Sequence, residues 1–232
     1  GELAPASTGL FLVDLDGNSR TLLVDLAELA AFRHEADMGD AHHFVTHTEF
    51  SHDGRYVAFL HRWYKGVRRK TRLIVYDLHE KQMYVSPTTG MVSHYCWNNA
   101  NGIVAYCRID DVDSHVYFYG PAMDRYKRCG YPKLNSDGHH HFVTDKEFVV
   151  DTYPDKYRHA RIYKVNVETD EVCLLANVRS YKKFASPTIY KHWSCDLHPR
   201  CSSDGKWLCF DSVFPGERSL CIMRLDDNVG IQ

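Results

Sequence analysis

A short unit that begins with histidine occurs four times along the sequence, and it limits the fold more than any other feature. The clearest copy begins at His198, continues through a tight turn at Asp204 and Gly205, and ends in the apolar stretch Trp207–Phe210. Four histidines at one repeat position need a common explanation. The histidines are His47, His94, His139 and His198, and the apolar residues three positions after them are Phe50, Trp97, Phe142 and Cys201.

Composition narrows the classes of protein to which the chain can belong. The 232 residues carry a net charge of −2, so we expect no nucleic-acid partner and no membrane partner. No stretch reaches the about 18 consecutive apolar residues of a membrane-spanning helix. The 8 cysteines are scattered without a CxxC pair, which favours reduced thiols and a cytoplasmic location. A periplasmic location is the alternative, because the sequence starts at Gly1 without methionine.

Strand patterns separated by turn signals recur with the histidines, at a period of roughly forty to fifty residues. Four short strands per repeat are typical of a β-propeller, so we predict an all-β fold of four-stranded blades. A β-sandwich is the alternative, but it gives no reason for repeats in register. We expect a single domain, 1–232, with about 4–5 blades of a larger propeller. The expected divisions are a partial blade at 1–40 and blades at about 45–90, 91–136, 137–190 and 196–230.

In a propeller the first strand of each blade lines the central channel, and each repeat-position histidine stands at the start of such a strand. We therefore expect the histidines to form a partial ring on one face. The loop between the second and third strands of each blade opens on the same face, which brings the basic loop 64–70 beside the ring. The polar residues expected there are Lys65, Arg68, Arg69, Arg72 and Arg158, together with His61, Arg108, Tyr153 and Ser212 at the ends of the second strands.

Histidines on adjacent blades can share a metal ion, since neutral imidazole is a common metal ligand. His139 and His198 are the predicted pair, with His141, Asp196 or His192 completing the ligand shell. Imidazole and oxygen ligands together suit manganese, zinc or iron, and the spacing does not choose among them.

Several of these residues resemble a known family. The run Cys195–Arg200, the segment Ser93-His94-Tyr95 and the repeated Asp-Gly units resemble the oligogalacturonate lyases and their TolB-type propeller relatives, over most of residues 45–228. The resemblance implies a seven-bladed propeller that cleaves acidic oligosaccharides by β-elimination. It also implies a metal held mainly by histidines, a histidine that removes the proton α to the uronate carboxylate, and an assisting arginine.

Residue by residue, the resemblance matches His94 to the base, His139 and His198 to metal ligands, and Arg69 to the assisting arginine. The family's last ligand cluster is richer in histidine and glutamine, whereas this chain has Asp196 two residues before His198. Manganese is the first expectation for the divalent metal, with zinc or iron as alternatives.

We therefore predict a metal-dependent lyase whose partner is an acidic, uronate-containing oligosaccharide. A neutral histidine suits the base because its ordinary pKa lies near ambient pH. Tyr153 or metal-bound water is expected to protonate the leaving oxygen. The expected catalytic residues are His94, Arg69, Arg108 and Tyr153, the substrate-binding residues His47, His61, Arg68, Arg72 and Arg158, and the metal ligands His139, His198, Asp196 and His141.

Two alternatives stay open from the residues alone. The first is a non-catalytic propeller that binds a protein or a glycan, in which the repeated histidines cap turns or bond to the neighbouring blade. The second is a hydrolase that uses the carboxylate pairs Asp110/Asp111 or Asp151/Asp155, although turn chemistry explains these pairs equally well. The sequence sets no expectation for the oligomeric state.

Overall fold

The computed structural model describes residues 2–187 and 194–225, which form five antiparallel sheets in chain order. Each sheet is a meander in which neighbouring strands are consecutive in the sequence. The N-terminal sheet pairs β1 (Gly9–Asp14) with β2 (Ser19–Asp25) and leads into the helix α1 (Leu26–Ala31). No helix among the described residues has the length and hydropathy needed to cross a membrane.

Four larger sheets follow, here named blades 1 to 4. Blade 1 contains β3 (His42–Phe50), β4 (Tyr56–Lys65), β5 (Arg68–Asp77) and β6 (Gln82–Val85). Blade 2 contains β7 (Val92–Trp97), β8 (Ile103–Ile109), β9 (Val112–Phe118) and β10 (Tyr126–Cys129). Blade 3 contains β11 (His140–Thr144), β12 (Glu147–Asp151), β13 (His159–Asn166) and β14 (Val172–Arg179). After a short 3-10 helix, Lys182–Phe184, blade 4 shows β15 (Arg200–Cys201), β16 (Trp207–Ser212) and β17 (Ser219–Arg224).

The predicted all-β propeller fold is confirmed, as a partial propeller. The first strands of successive blades lie side by side, since β11 contacts both β7 and β15. This arrangement brings the beginnings of the repeats together, although they are about fifty residues apart in the sequence.

Apolar faces hold each blade against the next. Between blades 1 and 2, Leu60 packs with Trp97 and Ile103, and these three side chains are almost completely buried. Burying one such side chain contributes about 1.5–3 kcal/mol, so the stacking of blades stabilises the fold. Equivalent contacts join blade 2 to blade 3 through Val104 and Phe148, and blade 3 to blade 4 through Val149 and Phe210.

The Asp-Gly repeat has the same atomic structure in blades 1 and 4. In blade 1 the Ser51 hydroxyl donates to the Asp53 carboxylate (2.6 Å), which also accepts from the N–H of Arg55 (3.0 Å). Gly54 has a φ of +71°, in the left-handed region that a β-carbon disfavours. The equivalent residues of blade 4 are Ser202, Asp204, Lys206 and Gly205.

Two charged segments lie at the tips of hairpins, and one of them was predicted to be a longer loop. The basic segment 64–70 belongs to β4 and β5, which only Gly66 and Val67 separate. Asp110 and Asp111 form the two-residue turn between β8 and β9, and both have positive φ. Backbone hydrogen bonds hold these hairpins, so charged side chains at an exposed tip do not end the strands. The Asp110/Asp111 pair is therefore explained by its turn.

A buried polar network ties blade 1 to the segment around α1. His43 donates its Nε2–H to the Met38 carbonyl (3.0 Å), so its Nδ1 accepts from the Nε2–H of His61 (2.9 Å). The Nδ1 of His61 in turn accepts from the Nε–H of Arg72 (3.1 Å). The remaining Arg72 donors bond to backbone carbonyls at the end of α1.

The prediction that His61 and Arg72 bind substrate is therefore wrong. His61 is 0% exposed and Arg72 is 1% exposed. Both side chains point from β4 and β5 towards α1, where their hydrogen bonds are used within the fold.

We predict that this network destabilises the protein in acid. Burial, reinforced by Arg72 and His43, lowers the pKa of His61 to about 3. The unfolded chain takes up a proton below its pKa of about 6.5, so the stability falls as the pH drops from 6.5 towards 3. One such group costs about 2 kcal/mol between pH 7 and pH 5. Glutamine offers one donor and one acceptor and does not titrate. Between pH 7 and pH 5 the free energy of unfolding of His61→Gln, measured in urea, should therefore fall by about 2 kcal/mol less than that of wild type.

His79→Gln is the matched control, because His79 is exposed just after β5. This variant should show the same dependence of unfolding free energy on pH as wild type. Identical pH dependence in wild type and His61→Gln would contradict the assignment of the titrating group.

Candidate metal and substrate site

The four repeat-position histidines line one cavity of about 340 Å³. Their rings follow one another in chain order, with centroids 6.5 Å apart for His47 and His94, 4.2 Å for His94 and His139, and 3.6 Å for His139 and His198. We name this series the histidine arc. The tertiary structure brings these side chains together from blades 1, 2, 3 and 4.

Irregular backbone aims these histidines into the cavity. Register shifts in the pairings of β3 with β4 and of β7 with β8 place His47 and His94 on bulges. His47 and His198 have φ values of +56° and +43°, in a region that costs a non-glycine residue about 1–2 kcal/mol. Bulges and rare backbone conformations concentrate next to functional sites, where they redirect a side chain.

Asp137 orients His94. The Nδ1–H of His94 donates to one oxygen of the Asp137 carboxylate (3.0 Å), and the Ser93 hydroxyl donates to the other (2.5 Å). An ionised carboxylate only accepts hydrogen bonds, so the proton of His94 lies on Nδ1. The lone pair of Nε2 is therefore the one available as a base.

Asp151 holds the next two histidines. Its carboxylate accepts from the ring Nδ1–H of His139 (3.1 Å) and from the backbone N–H groups of His139 (2.5 Å) and His198 (3.0 Å). Burial alone raises the pKa of Asp151, but these hydrogen bonds outweigh it and hold the pKa below its ordinary value. Gly138 permits the close approach, since a β-carbon there would lie 1.9 Å from the Asp151 carbonyl oxygen.

His139, Asp196 and His198 form a candidate metal-binding triad. One ligand atom from each residue lies within 4.8 Å of the others. The donor set fits a divalent transition metal, because it combines two imidazoles with one carboxylate. The hydrogen bond from His139 Nδ1 to Asp151 leaves Nε2 for the metal, which is the usual outer-shell arrangement of a metal-bound histidine.

His141 does not join the triad, so its predicted role as a ligand is wrong. Its Nδ1 accepts from the backbone N–H of Cys201 (3.3 Å), and it lines a different cavity with Cys96 and Phe142. The buried His140 lies between His139 and His141 in the chain. His139 lines the cavity of the histidine arc, whereas His141 does not. His192, the other alternative, lies outside the described residues.

The predicted arginines divide into two groups. Arg69 lies near His47 and is one of the charges that lower the pKa of that histidine. Arg68 occupies the tip of the same hairpin, opposite Lys65. Arg108 is paired with Asp113 (2.6 Å), and Arg158 donates to the carbonyl and hydroxyl of Ser180 (both 2.9 Å). None of these four arginines is among the residues that line the cavity of the histidine arc.

Tyr153 lies beside the metal-binding triad. Its ring centroid is 6.0 Å from that of His139, and the residue is 40% exposed. Partial burial, with Asp137, Asp196 and Asp151 adding to it, raises the pKa of Tyr153. Its phenol therefore stays protonated at neutral pH.

Two further charged residues line the cavity and were missed from the sequence. They are Glu49 and Arg200, which follow His47 and His198 by two residues in the sequence. Burial raises the pKa of Glu49 to about 7, and Arg200 opposes this shift. The cavity thus contains a carboxyl group that titrates near neutral pH.

No protein-family model matches the sequence, and no curated protein matches it. Solved structures of similar fold are found. TolB from Acinetobacter baumannii is similar over 94% of this chain and 47% of its own, with a TM-score of 0.55 and 11% identity. An oligogalacturonate lyase in complex with manganese is similar over 94% of this chain and 71% of its own, with a TM-score of 0.53 and 12% identity. The β-propeller domain of the Trilobed protease from Pyrococcus furiosus is similar over 98% of this chain and 66% of its own, with a TM-score of 0.56 and 13% identity.

At these identities the likeness concerns the fold. The chain spans 47% of the TolB chain and 66% of the protease propeller chain. The expected resemblance to the oligogalacturonate lyase and TolB propellers is confirmed at this level. The chain is a partial β-propeller that carries a candidate metal-binding triad.

Proposed function

We propose that this protein is a metal-dependent lyase that cleaves uronate-containing oligosaccharides by β-elimination. The observation that carries the proposal is the ring of His94, oriented by Asp137, at 4.2 Å from the ring of His139 in the metal-binding triad. Elimination next to a carboxylate requires a base for the α-proton and stabilisation of the negative charge that develops beside it. Here the base lines the same cavity as two residues of the metal-binding triad, His139 and His198. The fold likeness to an oligogalacturonate lyase is consistent with this chemistry.

His94 acts as the general base in this proposal. Its Nδ1–H is donated to Asp137, so the α-proton of the uronate goes to Nε2. The imidazolium that forms faces the Asp137 carboxylate, which stabilises its positive charge. Asp137 is therefore a positioning residue for the base.

His139, His198 and Asp196 would hold the metal ion. When bound, the ion polarises the substrate carboxylate and makes its α-proton more acidic. Manganese is the first candidate, because the ligands are mixed imidazole and carboxylate and the similar lyase structure contains manganese. Asp151 keeps the proton of His139 on Nδ1 and so presents Nε2 as the ligand atom.

Tyr153 is the proposed donor of a proton to the leaving oxygen. It lies on the triad side of the cavity, and its raised pKa keeps the phenol protonated. Arg69, near His47 at the opposite end of the arc, is a proposed cationic contact for the substrate.

His94→Ala is expected to remove most of the lyase activity. Loss of a general base costs roughly 10²- to 10⁴-fold in kcat. The measurement is the growth of ultraviolet absorbance from the conjugated alkene in digests of oligogalacturonate and other uronate oligomers with added manganese. The control His79→Ala, at an exposed site outside the cavity, should match wild type. A folded, metal-loaded wild type that forms no alkene from any uronate oligomer would refute the lyase and favour a non-catalytic binding module.

Asp137→Asn separates orientation of the base from binding of the substrate. Loss of the carboxylate partner of a functional histidine lowers the activity by roughly 10- to 100-fold. Here we expect the decrease in kcat, with KM little changed. Alkene formation measured over a range of oligomer concentrations gives both constants. A rise in KM at constant kcat would assign Asp137 to substrate binding instead.

The metal-binding triad predicts one manganese ion per chain in calorimetric titration. His139→Ala and Asp196→Asn should each weaken manganese binding by roughly 10-fold or more, since each removes a ligand. His141→Ala should bind manganese as wild type does, because His141 bonds to Cys201 rather than to the triad. Unchanged affinity in both triad variants, with stoichiometric binding, would place the metal elsewhere.

A further inference from the structure

Two arginines lie on one face of the hairpin in blade 1, at the His47 end of the histidine arc. In the β4–β5 pairing Arg62 stands opposite Thr71, and Tyr64 stands opposite Arg69. Residues directly opposite share a face, so Arg62 and Arg69 are diagonal neighbours on the same side of the sheet. This is the side on which Leu60 packs against blade 2. Both guanidinium groups act on His47 and contribute to its lowered pKa, of which burial is the larger cause.

Arg62 has a buried donor without a partner. Its Nε atom is inaccessible to solvent and makes no hydrogen bond in the described part of the chain. Among the described residues neither Arg62 nor Arg69 forms an ion pair with a carboxylate, and no carboxylate is among the charges that act on Arg62. Other arginines of the fold are paired: Arg55 with Asp77, Arg108 with Asp113, and Arg161 with Asp155.

An unpartnered, half-buried guanidinium is costly to the fold. Desolvating a charge without a partner is unfavourable, and the neighbouring Arg69 adds repulsion. Both effects lower the pKa of Arg62, with burial the larger. Nothing in the described fold offsets this cost, whereas an anionic ligand group would.

The two arginines and the metal-binding triad occupy opposite ends of the arc. His139 and His198 belong to the triad, His94 lies between, and His47 lies beside the arginines. We propose that Arg62 and Arg69 form a second acid-binding subsite, which takes the carboxylate of the neighbouring uronate residue while the triad end takes the uronate that reacts. This inference rests on the proposed function and deepens it, since it makes the substrate an oligomer with at least two acidic residues.

A carboxylate is the group that the pair fits. The planar guanidinium of arginine binds a carboxylate through two parallel N–H···O bonds, and neither Arg62 nor Arg69 forms an ion pair among the described residues. A neutral oligosaccharide would leave both charges without a counter-charge, so the subsite discriminates in favour of consecutive uronates.

The test compares the affinities for galacturonate and digalacturonate by isothermal titration calorimetry. The protein is the manganese-loaded His94→Ala variant, in which the base is absent and the ligands stay intact. Arg62→Gln added to this variant should weaken the binding of digalacturonate by roughly 10-fold or more and leave that of galacturonate unchanged. Arg62→Lys should be intermediate, since it keeps the charge and loses the two-donor geometry. Arg125→Gln, at an exposed arginine stacked on Tyr119, is the matched control and should change neither affinity.

The stability of Arg62→Gln provides a second readout. Because the Nε atom of Arg62 has no partner, its removal should leave Tm unchanged or raise it. A lowered Tm, equal weakening of both ligands, or no binding of either ligand to the background variant would each overturn the subsite.

The outcome for the subsite is separable from that for the lyase. Alkene formation by wild type with no effect of Arg62→Gln on digalacturonate binding overturns the subsite and leaves the lyase. Selective loss of digalacturonate affinity, without alkene formation by wild type, supports the subsite and overturns the lyase.

Discussion

The buried carboxylate of Asp151 is the interaction on which the geometry of the candidate site depends. It is 2% exposed and bonds to His139 of blade 3 and to the backbone leading into blade 4 at His198. Removing a carboxylate from water is unfavourable, and these hydrogen bonds offset the cost. Asp151 ends β12, a strand of the blade core, so the positions of the two imidazoles are set by packed secondary structure.

The fold uses histidine in two environments that differ in chemistry. His43 with His61, and His115 with His140, form buried pairs in which one ring donates to a backbone carbonyl and accepts from the other ring. Such pairs are neutral at neutral pH, because burial lowers the pKa of all four rings. The histidines of the arc instead border a cavity, and two of them donate Nδ1–H to carboxylates. The hydrogen bonds of His94 and His139 leave their Nε2 atoms for chemistry.

Charges are distributed unevenly along the arc. Asp137, Asp151 and Asp196 surround the triad end, where a cation is held, while Arg62 and Arg69 flank His47. A bound divalent ion at one end and the two guanidinium groups at the other would each offer a cationic contact to a polyanionic chain that lies along the cavity. Glu49 and Arg200 add a carboxyl group and a guanidinium group to the lining of the cavity.

The sequence by itself determined the repeat, the all-β class and the convergence of the four histidines, because a repeat places equivalent residues at equivalent positions of successive blades. It did not determine which polar neighbours share the cavity. His61 and Arg62 are adjacent, yet alternation along β4 sends His61 into the core and Arg62 to the other face, and this depends on the register of the strand. Asp137 was not assigned to the site, and Asp151 was considered only as part of a hydrolytic carboxylate pair. The sequence does not show that either carboxylate bonds to a histidine, because each meets its histidine only in the folded chain. The tertiary structure decided these partners, because hydrogen bonds between blades depend on stacking that no local pattern encodes.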